Sequence, residues 1–512
     1  MLTILSFLPI IALLFCLLVL KLSAGKAGAI SLLLALSIAF FSFGLDAFGM
    51  TVVMGKGMAL ALYVLLIIWA ALFLYHLVDE FKAIEVINKN IVIFVQDPFI
   101  QFLLLAWLFS SVLQGIAGFG VPVVIVTPIL ILLGFDPVLS TAAVLLGHCW
   151  SVSFGSMGSS FYTIFLVTNI PQDYLGLSMG LFDVAAMILT GLSVCYLYGG
   201  FKYVRKGLSY VLPASVVMSA VLFATVKLEM FSLVGLNTAL SGLIFTFIMY
   251  KLRSKAKFPE KLYRGALTLG QAVLPYGVII ALSLLFQFMN LGSIGIAFSF
   301  PEVTTVFGYV AKAEKAYSKI KLFGHPAPII LIASAVSVLA YKWAKVWSTG
   351  KFKSVVDKTV KKCVPTSISL VFLITMALIM TDSGMTNRFA VGVAKLTGRF
   401  YPLFAPFFGV LGSFITGSNT NSNVIFGQFQ YTVAQALGVS GAIMCGVQSI
   451  AGSIGVSMGP TTVLMGASAA KLVGREAVIY KKVMGFTLLI ALVLGILNYL
   501  LLTQFSFSIG GV

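Results

Sequence analysis

The chain places polar side chains inside long apolar stretches, where they are costly unless they bind something. Two stretches stand out: 114–122, which is rich in glycine, and 416–423, a run of hydroxyl and amide side chains broken by one glycine. Serines also interrupt apolar runs near 153–158 and 453–460. Free N–H groups at helix starts attract anions, and carbonyls at helix ends attract cations. These residues predict a binding site for a small anion or a cation.

The candidate binding residues lie in or beside these interruptions. They are Gln114, Gly118, Phe119, Gly120, Ser153, Ser156, Thr416, Ser418, Asn419, Thr420, Asn421, Ser422, Asn423, Gln448, Ser453 and Ser457. Gly-x-x-Gly spacing also serves close helix packing, so for Gly115, Gly118 and Gly120 packing and binding are equally open. Neither 114–122 nor 416–423 contains lysine or arginine. An anion would therefore be held by helix ends, hydroxyls and amides.

Three titratable residues are candidates for proton coupling. His148 precedes the interruption at 153–158, Asp183 lies in the next apolar segment, and Asp382 lies at the end of another. Intramembrane carboxylates are functional by default, and histidine titrates near neutral pH. A single buried histidine is more commonly a structural hydrogen-bonding group, and Asp382 at a helix end is also compatible with a position in water. No spacing of histidines or cysteines indicates a metal, and no cofactor is predicted.

The composition indicates that lipid surrounds most of the chain. Of 512 residues, 60% are hydrophobic and 9% charged, against about 25% charged in soluble domains. The net charge of +18 comes largely from cations in short loops, at 202–206, 251–264, 342–362 and 471–482. This pattern sets orientation in a membrane and argues against a nucleic-acid partner. We expect a multi-pass protein of a prokaryotic inner or plasma membrane with both termini outside. A homodimer is left open.

The apolar segments form the same series twice. The first series, 1–200, has helices at 2–22, 28–44 and 58–78, an interfacial arm at 79–91, a re-entrant hairpin at 99–134, a broken crossing at 137–167 and a crossing at 174–197. After a linking helix pair in 201–265, the second series, 266–512, repeats this order with an arm at 386–399, a hairpin at 401–437, a broken crossing at 440–470 and a crossing at 484–502. Basic loops placed inside make the two series run in opposite directions. The prediction is an all-α polytopic membrane protein with about 12 crossings, two re-entrant hairpins and an inverted repeat, as in many secondary transporters.

Four motifs together resemble the L-lactate permease family, whose members carry 2-hydroxy monocarboxylates. They are Gln114-Gly115-Ile116-Ala117-Gly118-Phe119-Gly120-Val121-Pro122, Leu133-Gly134-Phe135-Asp136-Pro137, Ser153-Phe154-Gly155-Ser156-Met157-Gly158 and Thr416-Gly417-Ser418-Asn419-Thr420-Asn421-Ser422-Asn423. The resemblance covers the chain from about residue 99 onward and implies proton-linked uptake of lactate or glycolate. Ser418-Asn419-Thr420 also resembles the hairpin tip of sodium-coupled dicarboxylate carriers. That likeness implies an elevator motion and sodium coupling as an alternative.

The chain departs from the family pattern at charged positions. It has Asn419 where the family usually has an acid, and His148 where the family usually has asparagine. The stretch 456–462 lacks the family's usual lysine and Ser-Pro-Gln run. The loss of an acid and a base together predicts that the coupling group differs from the family's. A membrane enzyme and a passive channel are alternatives from other classes, but the chain offers no metal-spaced histidines, and paired hairpins suit alternating access better than a pore.

Overall fold

The computed structural model describes residues 2–118, 120–254, 262–289 and 294–504. Met1, Phe119, residues 255–261 of the predicted linker, residues 290–293 and the last eight residues lie outside this range. Within the described residues, 11 helices are long and apolar enough to cross a membrane. The first helix, at 17 residues, and the two pieces of the first broken crossing are shorter than this. The expected all-α polytopic class is confirmed as a mostly helical, multi-pass membrane fold.

Among the described residues, the first half and the linking pair contain eleven helices. They are α1 (Leu2–Leu18), α2 (Ala24–Phe43), α3 (Ala47–Glu80), α4 (Ala83–Phe94), α5 (Pro98–Ile116), α6 (Val121–Leu132), α7 (Pro137–Gly147), α8 (Gly155–Thr168), α9 (Gln172–Gly199), α10 (Phe201–Lys227) and α11 (Val234–Ser254). A 3₁₀ turn, Cys149–Val152, separates α7 from α8.

The second half follows the same order. Its helices are α12 (Leu269–Phe288), α13 (Pro326–Trp343), α14 (Thr349–Asp382), α15 (Met385–Thr397), α16 (Tyr401–Thr416), α17 (Asn419–Leu437), α18 (Gly441–Gly455), α19 (Pro460–Ala469) and α20 (Glu476–Tyr499). A 3₁₀ turn, Val456–Met458, separates α18 from α19. The helices at the predicted arms, hairpins and broken crossings end within a few residues of the expected positions.

Local sequence explains where the helices of the first hairpin region begin. Asp97 and Asp136 each precede a proline that takes the first helical position, and each carboxylate accepts a hydrogen bond from a backbone N–H of the first turn. The bond from Leu139 N–H to Asp136 Oδ1 is 2.9 Å long. Proline lacks the N–H that would otherwise have no partner at a helix start, so Asp-Pro is a strong start signal. Asp97 and Asp136 therefore cap the helices that follow them.

Two long helices extend further than hydrophobicity alone predicts. Helix α3 begins at Ala47 rather than near residue 58, and α14 begins at Thr349, within the basic stretch 342–362 that was predicted to be a loop. The added segment of α14 is rich in lysine, which has a high helix propensity, so a basic segment can continue the helix beyond the bilayer. The added segment of α3 brings Lys56 into a membrane-spanning helix.

Several contacts between helices recur in matched pairs. Helix α3 packs against α14, the helix at the same place in the other half. The contact of α2 with α14 is matched by that of α13 with α3, and the contact of α8 with α17 by that of α19 with α6. The contact of α9 with α18 is matched by that of α20 with α7. Two related copies of one unit would give this pattern, while their opposite direction in the membrane stays a prediction.

Apart from the linking pair, in which α10 packs on α9 and α11 packs on α5, the helices form two groups. A scaffold unit contains α1 to α4 and α12 to α15, and a core unit contains α5 to α9 and α16 to α20. The two units meet mainly where α8 packs on α3 and where α17 packs on α14 and α15. The amphipathic arms α4 and α15 each precede a hairpin and pack in the scaffold unit, against α12 and α1 respectively.

Residues 294–321 contain the only strands among the described residues. Strand β1 (Gly295–Phe300) pairs antiparallel with β4 (Glu314–Lys321). Strand β2 (Val303–Thr304) pairs with β3 (Val310–Ala311). The strands rest on α3, so this non-helical segment extends the scaffold unit at one end of that helix.

Candidate functional site

The two hairpin tips and the two helix breaks surround one small cavity in the core unit. We call it the central cavity. It is lined by Gln114, Gly120, His148, Val152, Ser156, Ser159, Ser160, Gly417, Ser418, Asn419, Thr420, Val456 and Thr462. Its volume is about 40 Å³, and one water needs roughly 10–15 Å³ by the same measure. The cavity therefore has room for a few waters or a very small solute.

Four helix starts contribute to the cavity. Gly120 precedes α6, Ser418 caps α17, and Thr462 lies in the first turn of α19. In α8 the backbone becomes helical only after Gly158, so Ser159 and Ser160 form a first turn. The first N–H groups of a helix have no partner within it and carry partial positive charge. No lysine or arginine is among the described lining residues, so an anion at this position would be attracted by these helix starts.

Helix ends also reach the cavity. Gln114 lies in the last turn of α5, and Gly417, His148 and Val456 directly follow α16, α7 and α18. The last carbonyls of a helix carry partial negative charge and suit a cation. The same small space therefore offers partners for an anion and for a cation, as a site for coupled transport requires.

The first tip is built mainly from backbone. Gly120 has φ 85°, and a Cβ there would lie 2.7 Å from Met465 Sδ and closer to its methyl carbon. The N–H of Gly118 donates to Ser156 Oγ at 2.8 Å. Gly115 instead packs against the backbone of Leu236 in α11. Gly115 therefore packs closely on α11, and Gly118 and Gly120 shape the tip, while a binding role for these glycines stays a prediction.

The first break has an unusual backbone. Ser156, Met157 and Gly158 have φ of 48°, 53° and 80°, so three consecutive residues are left-handed. A left-handed non-glycine residue costs about 1–2 kcal/mol, and such strain persists only where the surroundings hold it. The run turns the chain so that Ser156 contacts the first tip and Ser159 starts a new helix.

The second tip is built mainly from side chains that bond across the two halves. Asn419 Nδ2 donates to Ser153 Oγ at 3.1 Å, and Ser153 Oγ donates to the Ser449 carbonyl at 2.8 Å. Asn423 Nδ2 donates to Ser449 Oγ at 3.0 Å and to the Ser160 carbonyl at 3.1 Å. This network joins α17 and α18 to the first break and holds the core unit together.

The predicted residues divide into a lining group and a supporting group. The lining group is Gln114, Gly120, Ser156, Ser418, Asn419 and Thr420. The supporting group is Gly118, Ser153, Thr416, Asn421, Ser422, Asn423, Gln448, Ser453 and Ser457. Several supporting side chains satisfy backbone carbonyls: Ser422 Oγ donates to Gly409 O at 2.9 Å, and Ser457 Oγ to Ile454 O at 2.7 Å. Phe119 lies outside the described residues, and a binding role for each of the others stays a prediction.

Some lining residues were not predicted. They are Val152, Ser159, Ser160, Gly417, Val456 and Thr462. The hydroxyl residues directly follow the breaks, and two adjacent serines after Ser156-Met157-Gly158 were a usable signal. The apolar pair Val152 and Val456 carried no signal, since only the packing of the two 3₁₀ turns brings them to the cavity.

His148 is the titratable residue of the central cavity. It follows the last residue of α7, is 1% exposed, and has Nδ1 2.5 Å from the Val144 carbonyl oxygen. A carbonyl only accepts hydrogen bonds, so Nδ1 must carry the hydrogen. In the neutral ring the lone pair is then on Nε2, which is the atom that would take up a proton.

The two carboxylates lie elsewhere. Asp183 is 1% exposed, neither of its oxygens has a partner among the described residues, and it is not a lining residue of the central cavity. Asp382 lies 3.0 Å from Lys56 Nζ and lines a second, larger cavity. The structure therefore separates the three proton-coupling candidates, and only His148 adjoins the hairpin tips.

Comparison with known proteins identifies the family. A family model described as L-lactate permease matches residues 3–505. The chain belongs to the L-lactate permease family. A family member from Streptococcus iniae, named L-lactate permease, is 30% identical over 458 residues, covering 85% of this chain and 92% of that protein. The glycolate permease GlcA of Escherichia coli K12 is 25% identical over 534 residues, covering 97% and 94%.

One solved structure, the Alcanivorax borkumensis YdaH transporter, aligns with a TM-score of 0.47 and 15% identity, covering 90% of each chain. Membership of the L-lactate permease family rests on the sequence matches and confirms the resemblance carried by the four motifs. The chain is thus a transporter of a bacterial permease family with a multi-pass membrane fold.

Proposed function

We propose that the chain imports L-lactate, or a related small 2-hydroxy monocarboxylate such as glycolate, by proton symport through the central cavity. The observation that carries this proposal is the convergence of four helix starts on a cavity lined by hydroxyls and amides. Relatives named for L-lactate and for glycolate support the substrate class. A weak field from helix starts binds an anion and also lets it leave.

The lining residues suit both functional groups of a 2-hydroxy acid. The carboxylate would accept from N–H groups at the starts of α8 and α17, near Ser159 and Asn419. The hydroxyl group would bond the amide of Gln114, for which the structure gives no partner among the described residues. A cavity of about 40 Å³ limits the substrate to a few heavy atoms before the tips must separate. The size favours a two- or three-carbon acid over a dicarboxylate.

His148 would carry the proton. A bound anion beside the ring stabilises the imidazolium, and the protonated ring in turn offsets the anion's charge. The loaded core unit would then cross the membrane with less uncompensated charge, which lowers the cost of moving it through a low-dielectric environment. Proton and substrate are coupled because each favours the binding of the other.

The movement would be an elevator motion of an inverted repeat. The network from Asn419 and Asn423 to Ser153 and Ser160 ties both halves of the core unit together, and the core unit meets the scaffold unit mainly through α8 and α17. In this arrangement the two hairpins enter from opposite sides. Cysteines at the exposed positions Leu132 and Ala436 test it: an impermeant thiol reagent should label Ala436→Cys from outside the cell and Leu132→Cys only after permeabilisation. Labelling of both from one side would rule out the inverted repeat.

Uptake by proteoliposomes tests the substrate and the proton. We expect L-lactate and glycolate uptake to accelerate when the outside is acidic, and His148→Gln to keep uptake but lose this acceleration. His76→Gln is the matched control, because His76 bonds Thr359 in the scaffold unit, away from the cavity. Unchanged pH dependence in His148→Gln would exclude His148 as the proton carrier. Absence of uptake for any small 2-hydroxy acid would exclude the proposed substrate.

Sodium coupling is the second candidate, and one observation favours it. The amide oxygens of Asn419 and Asn423 are buried and have no partner among the described residues. Amide and helix-end carbonyl oxygens are the ligands that suit a hard cation. If sodium is the coupling ion, replacing it with choline should abolish concentrative uptake in wild type and change little in an Asn423→Ala variant already impaired in coupling. Uptake indifferent to sodium removes this candidate.

A further inference from the structure

A second cavity, the vestibule, lies between the scaffold unit and the core unit. It has a volume of about 550 Å³ and shares no lining residue with the central cavity. Its walls come from α3, α12, α14 and β4 on the scaffold side and from the end of α8 on the core side. Exposed Lys321 and Gly324 lie on its rim. The vestibule is thus a separate, larger space beside the proposed substrate site.

The vestibule holds an ion pair between the two matched long helices. Lys56 of α3 is 4% exposed, and its Nζ bonds Asp382 Oδ2 at 3.0 Å. A lysine ammonium has three N–H donors, and the structure gives Lys56 no other partner among the described residues. Two donors of a buried cation are therefore available to a ligand in the cavity.

Buried hydroxyl groups without partners line the same space. They belong to Ser283, Tyr317 and Ser318, and none has a hydrogen bond among the described residues. A buried polar group that makes no hydrogen bond costs about 1–3 kcal/mol, so such groups indicate a ligand or water. Ser318 is also left-handed, with φ 49°. Hydroxyl donors and a cation in one cavity form the kind of site that binds a carboxylate.

We propose that the vestibule contains a second binding site for a small carboxylate, in which Lys56 bonds the carboxylate beside Asp382 and the hydroxyls of Tyr317, Ser318 and Ser283 complete its hydrogen bonds. The ligand's identity as the transported acid rests on the proposed function; the site itself does not. The lining cations Lys56, Lys319 and Lys321 are balanced by Glu229, Glu314 and Asp382. Since the vestibule has no net charge, binding depends on Lys56 itself, and Asp382 competes with the ligand.

Helix α8 connects this site to the central cavity. Its first turn, with Ser159 and Ser160, lines the central cavity, and Tyr162 and Phe165 line the vestibule. The rings of Tyr63 and Tyr162 are 5.7 Å apart where the core unit meets α3. A carboxylate bound at Lys56 would therefore raise the local substrate concentration beside α8.

Uptake kinetics with matched variants form the first arm of the test. Lys56→Gln should raise the KM for external L-lactate about tenfold, the effect of losing a hydrogen bond to a charged group, with kcat little changed. Asp382→Asn should lower KM because it removes the competing carboxylate. The double variant should keep the raised KM. If the ion pair is only structural, both single variants should lose uptake and the double variant should recover the wild-type KM. That result would overturn the proposal.

A thiol-labelling arm does not depend on transport. Thr381→Cys places a thiol on the vestibule wall beside Asp382, while the five native cysteines are buried. An anionic methanethiosulfonate should react faster than a cationic one, and Lys56→Gln should lower this ratio about tenfold. Lys321→Gln is the matched control at the rim. Acetate and L-lactate should slow labelling only when Lys56 is present, and neutral lactamide should not.

The outcomes of the two arms separate the two proposals. Protection by acetate that requires Lys56, without uptake of lactate, leaves the vestibule site and rejects the proposed function. Normal lactate uptake with no protection and with unchanged KM in Lys56→Gln rejects the vestibule site alone. An equal decrease in the labelling ratio in Lys56→Gln and Lys321→Gln would show a general charge effect and would also reject the vestibule site.

Discussion

The two hairpin regions occupy matched positions in the two halves but supply different chemistry. The first contributes backbone: Gly118 and Gly120 at the tip, and a left-handed run at Ser156 to Gly158 in the break. The second contributes side chains: the amides of Asn419 and Asn423 bond across to the first break. Its own break has ordinary 3₁₀ geometry. The two halves thus share one order of elements, but the first has a strained backbone at its break and the second has polar side chains at its tip.

The difference between the two hairpin regions indicates how a site for an anion could be built without a lysine or arginine. The strained half turns the chain so that helix starts face the cavity, and the polar half fixes their position with hydrogen bonds. The titratable residue of the cavity, His148, belongs to the strained half, and the amide oxygens that have no partner among the described residues belong to the polar half. The proposed proton carrier and the proposed sodium ligands therefore lie in different halves, and variants of each half should separate the two proposals.

The largest effect is expected at the backbone-built tip. In Gly120→Ala, a Cβ would meet Met465 in α19 while φ is 85°. Left-handed strain and overpacking together cost roughly 3 kcal/mol, so uptake should fall about 100-fold. Gly134→Ala is the control, because φ there is 92° and a Cβ has nothing within 4 Å. The two variants are compared by their uptake per amount of folded protein, and that amount is measured by size-exclusion chromatography. Equal loss in both variants would show that only left-handed strain matters.

An intermediate effect is expected at the polar tip. Asn419→Ala removes a buried hydrogen bond to Ser153 and an amide from the cavity lining. Loss of such a buried bond costs about 1–3 kcal/mol, so KM should rise about thirtyfold. Asn421→Ala is the matched control, since Asn421 lies in the same turn but is not a lining residue. A similar rise in KM for both variants would mean that the whole run acts as a unit, against the division into lining and supporting residues.

The smallest effect is expected where the two chemistries meet. Ser156→Ala removes one neutral hydrogen bond, the one donated by the Gly118 N–H. Alanine and serine adopt the left-handed backbone conformation at a similar cost, so the backbone is otherwise unchanged. A neutral hydrogen bond contributes about 1 kcal/mol, so uptake should fall about fivefold. Ser457→Ala, which loses bonds to the carbonyl of Ile454 and to the hydroxyl of Thr487 outside the cavity lining, is the comparison. If Ser156→Ala is as inactive as Gly120→Ala, the hydroxyl contacts substrate directly.

Much of the architecture was predictable because its signals are local. Asp-Pro pairs mark helix starts, glycine and proline mark breaks, and hydropathy marks spans, so the hairpin around Asn419 was predicted within a few residues. The β strands at 295–321 were not assigned, because short strands next to membrane helices give little periodicity. The long basic extension of α14 was predicted to be a loop, because a lysine-rich sequence is compatible with a loop and with a helix.

The central cavity was predicted in part and the vestibule not at all. Sequence reasoning found Gln114, Ser156 and Asn419 because each is polar in an apolar run, and it assigned Asp382 a helix-end position. Its partner Lys56 lies 326 residues away and was placed in a loop by hydropathy. Which polar atoms face each other depends on helices that meet only after folding, so no local pattern could pair them.

The sequence by itself determined that this is a membrane transporter with two polar, broken units, because hydropathy, helix breakers and buried polar residues act through each residue's own chemistry. The tertiary structure alone decided that the four helix starts share one cavity, that Ser156 to Gly158 are left-handed, and that Lys56 meets Asp382. Those features depend on the packing of distant helices, whose contact energies are spread over many residues and are not encoded in any one segment.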